Sequence, residues 1–183
     1  RDGKIFSVPS LSDNESIEFP RPFGTMEAFN TSGGISTLPQ SYLGRVQHLD
    51  YKTIRYPGHC DAIHMLKELG MMSKEAVETA SGPVVPRDLL FKLLSDKLPK
   101  DEPDVVLVRV MVSGLKDKKP VQIIWDCIDY ADQAAGLTAM MRMTAFPASI
   151  VAQIIARGDI TERGVLRQET TVPTKLFLAE LDG

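Results

Sequence analysis

Residues 105–112 and 121–129 alternate in a way that leaves the fold little freedom. In the first stretch Val106, Val108, Val110 and Val112 line one side of an extended chain, with Leu107, Arg109 and Met111 on the other. In the second, Val121, Ile123, Trp125 and Cys127 share a side, and Gln122, Ile124 and Asp126 share the opposite one. A period of two built from β-branched and aromatic residues belongs to strands. The polar segment 113–120 between them reads as a loop, so an antiparallel hairpin is expected. Trp125 and Cys127 then fall in its packed core, the cysteine as an inert thiol.

Around this hairpin the chain predicts a mixture of strands and helices. Short strands are expected at 4–8, 16–19, 25–29 and 46–56, with the turn-rich segment 9–15 between the first two. Residues 60–69 carry a helical pattern that Gly70 terminates. Ser73 is placed to cap a short helix through Ala80, which 81–85 breaks. Pro86 suits the first position of a helix with Leu89, Leu90, Leu93, Leu94 and Leu98 on one face. A long helix is expected over 134–157, kinked at Pro147 and stopped by Gly158, and a last one from Pro173 through Leu181. The fold class is α+β: a mixed, largely antiparallel sheet packed against helices. No internal repeat is visible.

Composition narrows the function more than it defines it. At 183 residues with 43% hydrophobic content, the chain can bury a core as one domain, 1–183. A net charge of −3 with no basic stripe argues against nucleic acid as a partner. The charge-poor stretch 134–156 contains Arg142, Pro147 and Gln153, and is expected to be a buried, kinked helix rather than a membrane span. Two cysteines, Cys60 and Cys127, make no disulfide framework and suit a reducing cytoplasm. A start at Arg1, with neither methionine nor a signal-like apolar run, suggests a piece of a longer protein.

Chemistry concentrates in Lys52-Thr53-Ile54-Arg55-Tyr56-Pro57-Gly58-His59-Cys60. Pro57 ends a strand and Gly58 permits a sharp turn into the helix that follows. Arg55 and His59 are thus held on a rigid corner, a geometry suited to a small anionic ligand. Arg55 offers a bidentate fork to a carboxylate, or else pairs with Asp61 or Glu68. His59 is either a proton carrier or a cap on the next helix. The polar loop Asn30-Thr31-Ser32-Gly33-Gly34 either cradles a carboxylate or is a plain glycine turn. His59, Cys60 and His64 splay around a helix and lack a fourth ligand, so no metal is expected. No Gly-x-Gly-x-x-Gly and no P-loop occurs, so any dinucleotide must be held mainly by other sequence.

The run from Phe19-Pro20 through Gly24-Thr25-Met26-Glu27-Ala28-Phe29-Asn30 and on to Tyr56-Pro57-Gly58-His59 resembles the second domain of the saccharopine dehydrogenase family. Ala139-Met140-Met141-Arg142-Met143-Thr144-Ala145-Phe146-Pro147 is similar to a second signature of that family, with Met143 and Ala145 where threonine and glycine are common. Arg167-Gln168-Glu169 also departs, since a proline more often precedes the acid. The resemblance implies a substrate-binding, dimer-forming domain of an NAD- or NADP-dependent oxidoreductase acting on a C–N bond in lysine or saccharopine metabolism. It implies a Rossmann domain outside this chain, and hence an isolated chain that is inactive. It implies His59 and Tyr56 as catalytic residues, and Arg55, Asn30, Thr31, Ser32 and Thr144 as substrate contacts. It implies that Gly33 and Gly34 approach the nicotinamide. Thr144 has an alternative, a hydroxyl bonded back to its own helical turn, and Arg142 reads better as packing. A non-catalytic binding or oligomerisation module with the same fold is the other reading. An amino-acid substrate and a homodimer are the expected partners, with neither nucleic acid nor membrane.

Overall fold

A computed structural model of the chain describes residues 1–31, 33–99 and 102–182. Its contacts divide into two compact units, Arg1–Lys100 and Asp101–Gly183. Both are α+β, with every strand pairing antiparallel, as the alternation predicts.

In the first unit β1 (Glu15–Phe19), β2 (Gly24–Phe29) and β3 (Thr53–Arg55) form a three-stranded sheet with β2 in the middle. Met26, Glu27, Ala28 and Phe29 of β2 are all buried, so this strand is covered on both faces. Helix α1 (Leu38–Tyr42) precedes β3, and α2 (His59–Glu68) follows it. Gly70, at φ +78°, donates to the carbonyl of Lys67 and closes α2 as expected. A small hairpin of β4 (Val77–Thr79) and β5 (Gly82–Val84) leads to α3 (Pro86–Lys97), with Pro86 in its first turn.

Several boundaries move. Residues 4–8 form no strand; β1 and β3 are already the sheet's edges, and the segment lines a cavity instead. Of residues 46–56 only Thr53–Arg55 is strand, because only those three find partners in register on β2. The helix expected after Ser73 is absent: its hydroxyl accepts from the Glu75 N–H in a local turn, and the chain goes on into β4. In α3 only Leu90 is buried, while Leu89, Leu93 and Leu98 lie exposed.

The second unit is built on the hairpin of β6 (Val105–Lys116) and β7 (Lys119–Tyr130). The expected loop 113–120 is itself ladder, reduced to a turn at Asp117 and Lys118, whose φ values are +52° and +62°. Register sets Val108 opposite Cys127, Val110 opposite Trp125 and Val112 opposite Ile123, so the two apolar rows share one face. That face is not the expected core: Trp125 is 48% exposed and Ile123 61%, and Cys127 is only partly covered.

Helix α4 (Ala139–Arg157) starts five residues later than expected. Gly136 at φ +67° and the Asp132–Leu137 bridge make a turn of the preceding residues. The Thr138 hydroxyl then caps α4 by accepting from Met141 N–H, and the Asp104 carboxylate accepts from Ala139 and Met140. Two short helices, α5 (Gln168–Thr171) and α6 (Thr174–Asp182), complete the unit. Its core is Ile150, Ile154 and Ile160 against Val172, Leu176, Phe177 and Leu181. By length and composition α4 is apolar enough to cross a membrane. Only 17% of its most apolar window is buried within the chain, so it is not the buried helix that its composition suggests.

Candidate functional site

The corner that follows β3 is organised by a carboxylate on β2. Gly58 occupies the N-cap of α2 at φ +89°, a conformation glycine tolerates, and carries no side chain to cap the helix. Glu27 supplies the missing acceptor from across the sheet. It is 8% exposed, and its carboxylate accepts from the backbone N–H of Gly58 at 3.1 Å and of Cys60 at 2.6 Å. The His59 N–H donates to the Tyr56 carbonyl at 3.3 Å and lies close enough to favour the Glu27 charge, and the Asn14 amide lies at 3.4 Å. Burial pushes the Glu27 carboxyl up, but the donors from Cys60, Gly58, Asn14 and His59 outweigh it and hold it below the ordinary range. The adjacent Cys60 is buried; burial, then the charges of Glu27 and Asp61, push its thiol up.

Arg55, Tyr56 and His59 all reach solvent on this corner. The Arg55 guanidinium donates to the neighbouring Ile54 carbonyl at 2.8 Å, and among the described residues it forms no ion pair with Asp61 or Glu68. His59 is the first residue of α2 and does not cap it; its ring stacks on Phe29, with centroids 6.1 Å apart and planes at 19°. Tyr56 is 62% exposed.

The loop after β2 is tied to the same sheet. Asn30 is buried: its backbone exchanges hydrogen bonds with Leu11 and Ser12, and its side-chain amide donates to the Ser12 hydroxyl at 3.1 Å. The Thr31 and Thr53 hydroxyls meet at 2.6 Å, joining loop to β3. Ser32 lies outside the described residues. Gly33 is at φ +87°. Gly34 is needed for a different reason, since a Cβ there would fall 1.8 Å from Cδ1 of Tyr51.

Asn30, Thr31, Gly33 and Gly34 line a cavity of about 240 Å³ whose wall includes Phe6 and Tyr42. Arg55, Tyr56 and His59 stand outside it, on the exposed corner. The cavity is smaller than the roughly 300–1,000 Å³ of cofactor and drug-sized sites, and the open side of Gly34 is already taken by Tyr51. The described residues therefore do not fit a dinucleotide.

Thr144, in the second unit, is exposed on α4 and donates to the Met140 sulfur one turn back at 3.7 Å. Arg142 is a packing residue: its Nε donates to the Asp129 carboxylate at 3.0 Å, which raises its pKa. No group of three or more His, Cys, Asp or Glu capable of holding a metal occurs among the described residues.

Glu27 is the residue that the sequence reading passes over. Its signal is a lone acid inside the otherwise apolar strand Met26-Glu27-Ala28-Phe29, followed downstream by a helix whose cap is glycine. The family model of the saccharopine dehydrogenase C-terminal domain matches residues 1–183, and the chain belongs to that family.

Proposed function

We propose that this chain binds and orients the substrate in a saccharopine dehydrogenase-type oxidoreductase acting on the C–N bond of an amino acid. The observation that carries the reading is the Thr31–Thr53 hydroxyl contact, which ties a loop that lines the cavity to the strand leading into the Arg55–His59 corner. Arg55 presents a largely unspent planar fork to a substrate carboxylate, and Thr31 and Ser32 add hydroxyls. Asn30, its amide engaged by Ser12, shapes the loop and offers its remaining capacity to the ligand. His59 exchanges a proton at the substrate nitrogen, with the Tyr56 hydroxyl beside it. Gly33, at φ +87°, and Gly34 let the loop backbone turn along the cavity wall. NAD or NADP, held mainly by sequence outside this chain, would supply the hydride acceptor. Two copies pair through the apolar β6–β7 hairpin. A cytoplasmic setting accords with the two free thiols.

The test is NAD and NADP reduction by the full-length protein with L-lysine and with L-saccharopine, reading ammonia and glutamate release. Turnover is expected on one of them. Arg55→Ala is expected to raise KM at least tenfold with the oligomeric state unchanged, because a charge-assisted bidentate contact is lost. Turnover that is indifferent to Arg55→Ala and His59→Asn, or absent on every amino acid tried, refutes the reading. A pure oligomerisation module is the second reading, favoured by the exposed apolar hairpin; it predicts that only hairpin substitutions matter.

A further inference from the structure

Glu27 is an unusual way to cap a helix. A serine, threonine or aspartate at the N-cap satisfies the first turn locally, whereas here the acceptor comes from 31 and 33 residues earlier in the chain. The distance in sequence has a structural result. Glu27 lies on β2 opposite Arg55 of β3, so the strand that holds the α2 corner also carries loop 30–34 at its end. Two residues on, Phe29 of the same strand lies buried beneath the His59 ring. Backbone N–H groups on both sides of His59 end on this one carboxylate. Its partners among the described residues are neutral donors, so its negative charge is not cancelled by a cation. The other charged or titratable groups near the corner are Cys60 and Asp61 on α2, and Arg55 and Tyr56 in the chain leading to it.

We infer that Glu27 is a positioning residue: it fixes the His59 imidazole on Phe29 and holds the Arg55–His59 corner at a set distance from loop 30–34. The catalytic significance of this rests on the proposed function, whereas the positioning of His59 does not. Glu27→Gln keeps the shape but sets an amide NH2 against backbone donors. Glu27→Asp keeps the charge one methylene short.

Two measurements on the full-length protein test the inference. The first needs no turnover: the ring ¹H–¹³C signals of His48, His59 and His64 are recorded in wild type and in both Glu27 variants. The His59 signals are expected to move while those of His48 and His64 stay; His59 signals that coincide with wild type in a folded variant overturn the inference. The second is a double-mutant cycle on kcat with the substrate that the enzyme oxidises. Glu27→Gln is expected to lower kcat ten- to a hundredfold with KM changed less than threefold, and the Glu27→Gln/His59→Asn double variant to be no slower than His59→Asn alone. Effects that multiply in full show that Glu27 does not act through His59, and overturn it. If Glu27→Gln does not fold, Glu27→Asp decides by the same two readouts. A His59→Asn variant as fast as wild type sinks the proposed catalytic role of His59, and the ring signals still decide whether Glu27 positions it.

Discussion

A single buried carboxylate illustrates how residue chemistry sets the pH behaviour of the first unit. Glu27 is held ionised below the ordinary carboxyl range, so its folded pKa is lower than its unfolded one. Such a group contributes stability that is fully present above the unfolded value of about 4.3 and is lost as pH falls through the folded value. Urea unfolding followed from pH 7 to pH 3 is therefore expected to show wild-type stability dropping below about pH 4.5. In Glu27→Gln the stability is expected to be lower at neutral pH and the acid slope shallower by up to one proton. Equal slopes in the two proteins would show that Glu27 is not ionised by its donors. Asp13 in the first unit, held low by Arg1, and Asp104 and Asp126 in the second, held low by the α4 backbone and by Arg109, add to the slope that remains.

At the level of elements, the β6–β7 hairpin shows what a sequence discloses and what it hides. Alternation gave away the strands and which residues share a face, because a period of two is a property of extended backbone alone. The turn stayed hidden: two-residue turns with positive φ favour Asn-Gly or Asp-Gly, and Asp117-Lys118 has no glycine. The short helix expected after Ser73 is displaced by local turns: the Ser73 hydroxyl accepts from Glu75 N–H, and the Thr79 hydroxyl accepts from Ser81 N–H and donates to the Gly82 carbonyl. The Arg55–His59 corner was legible because proline and glycine punctuate it. Glu27 was not, because its role depends on a partner 31 residues away, a distance no local pattern encodes. Register in the hairpin is reinforced by Arg109, which donates through Nε and Nη2 to Asp126 directly opposite, each at 2.6 Å. Arg109 is 13% exposed at its side chain, so Asp126→Ala takes a two-pronged acceptor away from a largely covered cation. A loss of roughly 1–3 kcal/mol in chemical unfolding is expected, below the 3–5 of a fully buried pair because water still reaches Asp126.

For the whole molecule, the outer half of that hairpin is apolar on both faces. Val110, Val112, Ile123 and Trp125 are exposed on one, and Met111, Leu115 and Ile124 on the other. Patches of this kind mark contact surfaces. Under the proposed pairing through this hairpin, Ile123→Asp is expected to give a monomer in light scattering where the wild type gives a dimer, while shifting the thermal midpoint of the monomer by no more than a few degrees, since position 123 is 61% exposed. A variant that stays dimeric would move the contact elsewhere. Trp125 is the only tryptophan among the 183 residues, and it stands in the middle of this uncovered row, paired across the ladder with Val110. Its indole emission is thus an intrinsic optical gauge of whether the hairpin is covered: red-shifted in the lone chain, and moving to the blue as water is displaced by whatever docks there.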